Sequence, residues 1–220
     1  MTRPEQIRPQ PSPAAGRALS NRSGALSDYG AFLRRAIRHP GQVGAIAPSS
    51  PSLARQMAAV VPSTGSPVVV ELGPGTGALS AAVAERLPAS GRHLAVELDG
   101  GMVEHLRRNL PWLEVIQGDA ARLGELLREA GVASVDAVIS GLPWSIFPGQ
   151  LQQDILDQVG AVLAPHAAFT TFAYVHALGM AGARRFRARL DNSFDEVLTS
   201  HTVWRNVPPA RIYACRRPRG

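Results

Sequence analysis

The sequence predicts an α/β sandwich on a mostly parallel, seven-stranded sheet, with helices ahead of it and an antiparallel hairpin at its end. Three observations carry that prediction. From residue 67 onward, short aliphatic runs alternate with helix-length amphipathic segments, the pattern of successive βα units. A glycine-rich turn, Gly73-Pro74-Gly75-Thr76-Gly77, follows the first run directly. The link between the last two runs, Arg205-Asn206-Val207-Pro208-Pro209, is too short for a helical crossover, so those strands must pair antiparallel.

The elements follow in order. Prolines at 4, 9, 11 and 13 and the lack of an apolar core make residues 1–27 a disordered tail rather than a signal peptide. Over 29–38, Tyr29, Phe32, Leu33, Ala36 and Ile37 share one helical face and Arg34, Arg35 and Arg38 the other. Pro40-Gly41 ends that helix. Ser50 can cap the next one, with Pro51 in its first turn, and it should run to Val61. Strands are then expected at 67–72, 92–98, 113–117, 135–140 and 167–174. Helices are expected at 77–87, 100–109, 121–130, 150–163 and 180–190. The closing hairpin pairs 194–203 with 210–216. Residues 1–27 thus form a tail, 28–62 a helical lid and docking segment, and 63–220 the main domain.

With 220 residues and 45% apolar composition, the chain can bury a sizeable single core. The single cysteine, Cys215, excludes an internal disulfide and reads as a free surface thiol in a reducing compartment. No apolar run is long enough to span a bilayer. All 23 basic residues are arginine, and the net charge of +6 is distributed unevenly. Residues 29–55 carry Arg34, Arg35, Arg38 and Arg55 and no acid, whereas 184–220 carry nine arginines against three acids. An arginine fork donates two parallel hydrogen bonds to phosphate. The histidines show no metal-ligand spacing, and no metal is expected.

The candidate site lies where strands end. Gly73, Gly75 and Gly77 let the backbone turn sharply and approach a ligand closely. Their spacing departs from the G-x-G-x-x-G pattern that cradles a pyrophosphate. Glu71, beside them, would repel a pyrophosphate and welcome a cationic, amine-bearing ligand. S-adenosylmethionine carries both an amine and a sulfonium. Glu97 ends the second strand, where an acid can accept from both ribose hydroxyls. Asp119 follows the third and can accept from the adenine amine. Asp99 is a reserve for the ribose role or a helix cap. The fourth strand ends in Ser140-Gly141-Leu142-Pro143-Trp144, where a parallel α/β site places its reacting groups. Leu142 and Pro143 would direct carbonyls into the crevice, and Trp144 would offer a flat apolar wall that also attracts a cation.

Taken together, Val-Glu-Leu-Gly-Pro-Gly-Thr-Gly at 70–77, Ala-Val-Glu-Leu-Asp at 95–99, Gln-Gly-Asp at 117–119 and the fourth strand end resemble class I S-adenosylmethionine-dependent methyltransferases. The segment from Phe32 to Ser50 resembles the opening of the soluble bacterial phospholipid N-methyltransferases, which methylate phosphatidylethanolamine. The likeness covers residues 29–217 and implies the Rossmann-like class I methyltransferase sandwich. It further implies S-adenosylmethionine in the crevice, with Glu71 and Gly73 to Gly77 on its methionine part, Glu97 on the ribose and Asp119 on the adenine. Gln42 to Ser50, among them Gln42 and Ser49, would line or cover the cofactor, and Ser140 would border it. A lipid headgroup would sit at the fourth strand end, against Leu142, Pro143 and Trp144. The protein would be cytoplasmic and dock peripherally on the inner face of an anionic membrane.

An ethanolamine amine must lose a proton before it can attack, so a base is needed. Tyr29, Tyr174 and His176 are the candidates, and tyrosines would also hold a partly methylated amine by cation–π attraction. A soluble small-molecule acceptor is the alternative. Ribosomal RNA adenine dimethyltransferases share the motifs, but they favour Asn-Leu-Pro-Tyr at the fourth strand and add a helical RNA-binding domain. This sequence offers no Asn carboxamide there and no such domain after the seventh strand, so nucleic acid is an unlikely partner on this reading.

Overall fold

The computed structural model describes residues 49–219, all within the second of two units into which the chain divides at His39 and Pro40. The expected tail, the helix over 29–38, Tyr29 and Gln42 lie outside the described residues.

Helix α1, Pro51–Met57, starts where its signals stand: the Ser50 hydroxyl accepts from the Leu53 N–H and proline occupies the first turn. A 3₁₀ turn, Ala58–Val60, completes the segment. Five βα units then run in sequence. Strand β1 (Val68–Leu72) precedes helix α2 (Ala78–Ala84), β2 (Arg92–Glu97) precedes α3 (Gly100–Asn109), and β3 (Glu114–Gln117) precedes α4 (Leu123–Glu129). Strand β4 (Val135–Ser140) leads to α5 (Gly149–Val162), and β5 (Leu163–Tyr174) leads to α6 (Ala181–Ser193). Strands β6 (Phe194–Thr199) and β7 (Ala210–Pro218) close the chain. The helix expected over 121–130 begins as a 3₁₀ turn, Ala120–Arg122, because the Asp119 carboxylate accepts from the Ala121 N–H and tightens the entry.

The sheet order is β3-β2-β1-β4-β5-β7-β6. Strands β3, β2, β1, β4 and β5 are parallel, and β7 is antiparallel between β5 and β6. The class I methyltransferase architecture expected from the sequence is therefore present, including its terminal hairpin. Winding reverses between β1 and β4, and a crevice opens at such a switch point beyond the carboxyl ends of the strands.

Alternation along the strands divides the core between the two faces. On one face, Leu53, Met57 and Val61 pack with Val69, Leu79, Val83, Ile139 and Ile212. The Thr170 hydroxyl, on the same face, donates to the Met57 carbonyl at 3.3 Å. The neighbouring residue Phe169 points the other way, where it stacks on Phe194 and meets Trp144 edge-on.

Cys215 is not the surface thiol the sequence suggests. It sits fully buried on β7, opposite Phe169. Burial pushes its thiol up to about 12, so it is protonated and inert at neutral pH. The folded protein should resist alkylation by iodoacetamide and react stoichiometrically once unfolded. Mass spectrometry of the two samples checks this.

Candidate active site

The glycine turn is the best-defined part of the crevice. Gly73, Gly75 and Gly77 all have positive φ, at 67°, 56° and 86°, a region that side-chain-bearing residues rarely adopt. Their surroundings differ. A Cβ at Gly73 would lie 2.8 Å from a Leu142 methyl, and one at Gly77 would lie 2.5 Å from a Leu110 methyl. One at Gly75 would meet no protein atom within 4 Å. Gly73 and Gly77 are packed, whereas Gly75 faces open space. The extra glycine in the fourth-strand motif also has a structural reason. A Cβ at Gly141 would lie 2.7 Å from the Gly73 carbonyl oxygen, so β4 can approach the turn only without a side chain there.

Glu97 is the last residue of β2 and almost completely buried. Its Oε1 accepts from the Asp99 N–H at 2.9 Å, and the N–H groups of Gly75 and Leu98 also point at the carboxylate. Burial raises its pKa above the ordinary glutamate value, and those three donors pull it partly back. Its Oε2 is buried without a partner. A buried acceptor left open beside an open glycine fits a ligand that brings its own hydroxyl donors. Asp99 caps α3 through the Met102 N–H at 3.1 Å, the second of the two roles open to it from the sequence. Asp119 stands two residues past β3 and spends one oxygen on the Ala121 N–H at 2.9 Å.

Glu71 has a different setting from the one expected. It is fully buried one residue before the end of β1. Its Oε2 accepts from the Ser80 hydroxyl at 2.7 Å and lies 3.3 Å from the His93 Nε2. Its Oε1 has no partner. The carboxylate thus ties β1 to α2 beneath the glycine turn through one oxygen and keeps the other open, as Glu97 does.

The fourth strand end also differs. The Ser140 hydroxyl accepts from the Trp144 Nε1 at 3.1 Å and the Leu142 N–H at 3.3 Å. Trp144 is drawn into the core, stacked on Phe186 at 4.3 Å, and does not form an open wall. The Leu142 and Pro143 carbonyls accept from Trp144 and Ile146 within the tight turn Trp144–Ile146. Leu142 is buried against Gly73, whereas Pro143 is only half-buried. Gln152, which no sequence signal marks, fixes the whole turn. Fully buried, it donates to the carbonyls of Trp144, Phe147 and Gly182.

Two expected proton acceptors do come together. Tyr174 ends β5, and its ring stacks on His176 with centroids 5.6 Å apart and planes 13° apart. Ser49 is half-buried at the entry to α1. The next residue, Ser50, donates its N–H to the fully buried Asn206 at 2.8 Å. This bond pins the α1 entry to the β6–β7 link, a contact across 156 residues that no local signal announces. Among the described residues no group of three or more His, Cys, Asp or Glu could hold a metal ion.

This fold, with a packed glycine turn and an acid closing β2, defines a class I methyltransferase. Residues 69–166 match the model of the methyltransferase domain family. The ornithine lipid N-methyltransferase of Singulisphaera acidiphila is 35% identical over 194 residues, which cover 87% of this chain and 97% of that protein. A probable ribosomal RNA small subunit methyltransferase A of Thermococcus onnurineus is 34% identical, but over 85 residues only, 38% of this chain and 28% of the other. A solved S-adenosylmethionine-dependent O-methyltransferase of Thermotoga maritima shares the fold, with a TM-score of 0.61 at 15% identity, over 84% of this chain and 72% of that one. The chain belongs to the class I S-adenosylmethionine-dependent methyltransferases and is homologous to lipid-headgroup methyltransferases. It is an enzyme that uses S-adenosylmethionine to methylate a small-molecule or lipid-headgroup substrate.

A ribose acceptor at Glu97 would give donor binding a pH signature. Accepting from two hydroxyls requires the carboxylate, and burial raises the pKa of that group. Donor affinity should therefore fall as pH drops through the raised pKa toward the ordinary glutamate range. The folding linkage has the opposite sign. A raised folded pKa contributes stability below the unfolded value of about 4.5, and that contribution is lost as pH rises through the folded value. Calorimetric titrations across this range should show the fall in affinity in wild type and a flatter profile in Glu97→Gln.

Proposed function

We propose that this enzyme methylates the primary amine of a membrane-lipid headgroup. The observation that carries the reading is the 35% identity, along 97% of its length, to a relative whose name states N-methylation of an ornithine lipid. Phosphatidylethanolamine, the acceptor the N-terminal resemblance implies, presents the same chemistry: a primary amine on a flexible polar head. Among the described residues no helix is long and apolar enough to cross a membrane, in keeping with a protein that visits the bilayer surface.

S-adenosylmethionine supplies a sulfonium-activated methyl group, so the protein has mainly to hold, orient and exclude water. In this reading the open Gly75 turn receives the methionine part, with Gly73 and Gly77 shaping it, and Glu97 Oε2 takes the ribose hydroxyls. Asp119 selects the adenine amine. Glu71 keeps the turn in place from below. Ser140 holds the Trp144 turn, so that Pro143 borders the acceptor side. The acceptor amine is protonated near neutrality and must give up that proton before it becomes a nucleophile. In this reading Tyr174 or His176 receives it, and their rings hold the methylated cation; their stacking at the end of β5 supports the pairing.

Tyr174→Phe and His176→Ala should each lower kcat by at least about a hundredfold, the lower end for a lost general base, with donor affinity unchanged. Turnover paired with calorimetry checks this. The function itself is tested by donor consumption against a panel of detergent-dispersed lipids. Phosphatidylethanolamine or ornithine lipid should be turned over, whereas amine-free phosphatidylglycerol should not. Turnover of small soluble amines alone would contradict the proposal.

A further inference from the structure

Residues 200–209 link β6 to β7 beyond the carboxyl end of the sheet. They leave β6 after Thr199 and enter β7 at Ala210, which pairs with Tyr174. The Val175 N–H donates to the Pro209 carbonyl at 2.8 Å. The link therefore borders the Tyr174–His176 pair directly. It is firmly anchored: Val203 is buried and bridges to Ala210. Asn206 is fully buried, accepting from Ser50 and donating to the Pro208 carbonyl at 2.7 Å. The Asn206 N–H closes a turn on the Val203 carbonyl at 3.2 Å.

Two anchors three residues apart leave the tip held outward. Trp204 is 74% exposed and Val207 is 78% exposed, the two most exposed large apolar side chains among the described residues. Exposed Arg205 lies between them. Met180, 45% exposed, stands at the start of α6 on the same end of the sheet, ahead of exposed Arg184 and Arg185. Neither 158–190 nor 197–220 contains an acidic residue. An indole displayed in a fixed pose next to an exposed arginine, on chain stretches free of acids, matches the chemistry of an anionic bilayer interface.

We infer that the Val203–Val207 turn is a membrane-docking tip, with Trp204 and Val207 entering the headgroup layer of an anionic bilayer and Arg205 pairing with lipid phosphate. This rests on the lipid-headgroup reading, and it places the tip beside the residues that would receive the amine's proton.

Trp112 provides an internal control. It is 47% exposed but lies between α3 and β3, at the opposite end of the sheet. The full-length protein is titrated with vesicles of phosphatidylglycerol and phosphatidylethanolamine carrying brominated acyl chains, which quench tryptophan on contact. Quenching should occur in wild type and in Trp112→Phe and should vanish in Trp204→Phe. The Trp204→Ser/Val207→Ser variant should partition onto vesicles at least roughly tenfold more weakly. It should methylate detergent-dispersed lipid at the wild-type rate.

Quenching that survives in Trp204→Phe, or no quenching in wild type, overturns the inference. Self-association that depends on Trp204, without vesicle binding, also overturns it and assigns the tip to a second copy. Methylation of dispersed lipid without Trp204 quenching would leave the proposed function standing and remove the docking tip. Trp204 quenching without methylation of any lipid would do the reverse.

Discussion

Gly75→Val should abolish donor binding while the protein remains folded. Gly75 combines a φ of 56° with open space where its Cβ would be, and its N–H is one of the donors to the buried Glu97 carboxylate. A left-handed conformation costs an L-residue about 1–2 kcal/mol, and a β-branched residue resists it further. That strain is small beside the stability of a domain, so the fold should survive. The valine side chain would fill the open space beside Gly75, where the proposed reading seats the donor, and any relief of strain would move the Gly75 N–H away from Glu97. Donor affinity should fall by at least about a hundredfold, or roughly 3 kcal/mol. Calorimetry for binding and circular dichroism for folding check the two halves. Gly141→Ala should behave differently, because its Cβ would meet the Gly73 backbone carbonyl at 2.7 Å. There the turn itself must shift, and stability should fall along with binding.

Glu71→Ala should first cost stability, by about 1–3 kcal/mol. The carboxylate is fully buried and accepts from the buried Ser80 hydroxyl. Removing it leaves that hydroxyl without its acceptor and opens a void under the glycine turn. Leaving one buried polar group unpaired costs about 1–3 kcal/mol. Donor affinity should also drop, because the turn rests on this cluster. Glu71→Gln keeps an oxygen for Ser80 and fills the volume, so it should recover most of the stability. Urea denaturation of the three proteins measures the effect. Full stability in Glu71→Ala, with only donor binding lost, would instead return Glu71 to the crevice.

The fold was readable wherever local signals agree. Ser50 and Pro51 set the start of α1, and β4 lies on the predicted residues because its aliphatic run is cleanly bounded. Strand β5 starts earlier than expected, at Leu163, because Ala164-Pro165-His166 looks like a break. The strand runs through it, with a register shift against β4 between Val135 and Ala137. In the site, the acid closing β2 and the glycine turn could be read because each follows its strand directly. The surroundings of Glu71 could not. Its partner Ser80 is nine residues away and His93 lies on the next strand, and only the sheet brings them together. Trp144 misled for the same reason. Nothing near it in sequence announces Phe186, which stacks on it from α6, or Gln152, which holds its carbonyl.

Transfer of a methyl group to a headgroup nitrogen can be observed directly. The most direct measurement uses methyl-labelled S-adenosylmethionine, the full-length protein and a mixture of phosphatidylethanolamine, ornithine lipid and phosphatidylglycerol, with tandem mass spectrometry to locate the label. Label should appear on the amine nitrogen of an amine-bearing lipid and not on phosphatidylglycerol. Transfer should be lost in Gly75→Val and strongly reduced in Tyr174→Phe. Label found only on RNA or on a soluble amine, or on a lipid oxygen rather than nitrogen, would contradict the proposed function.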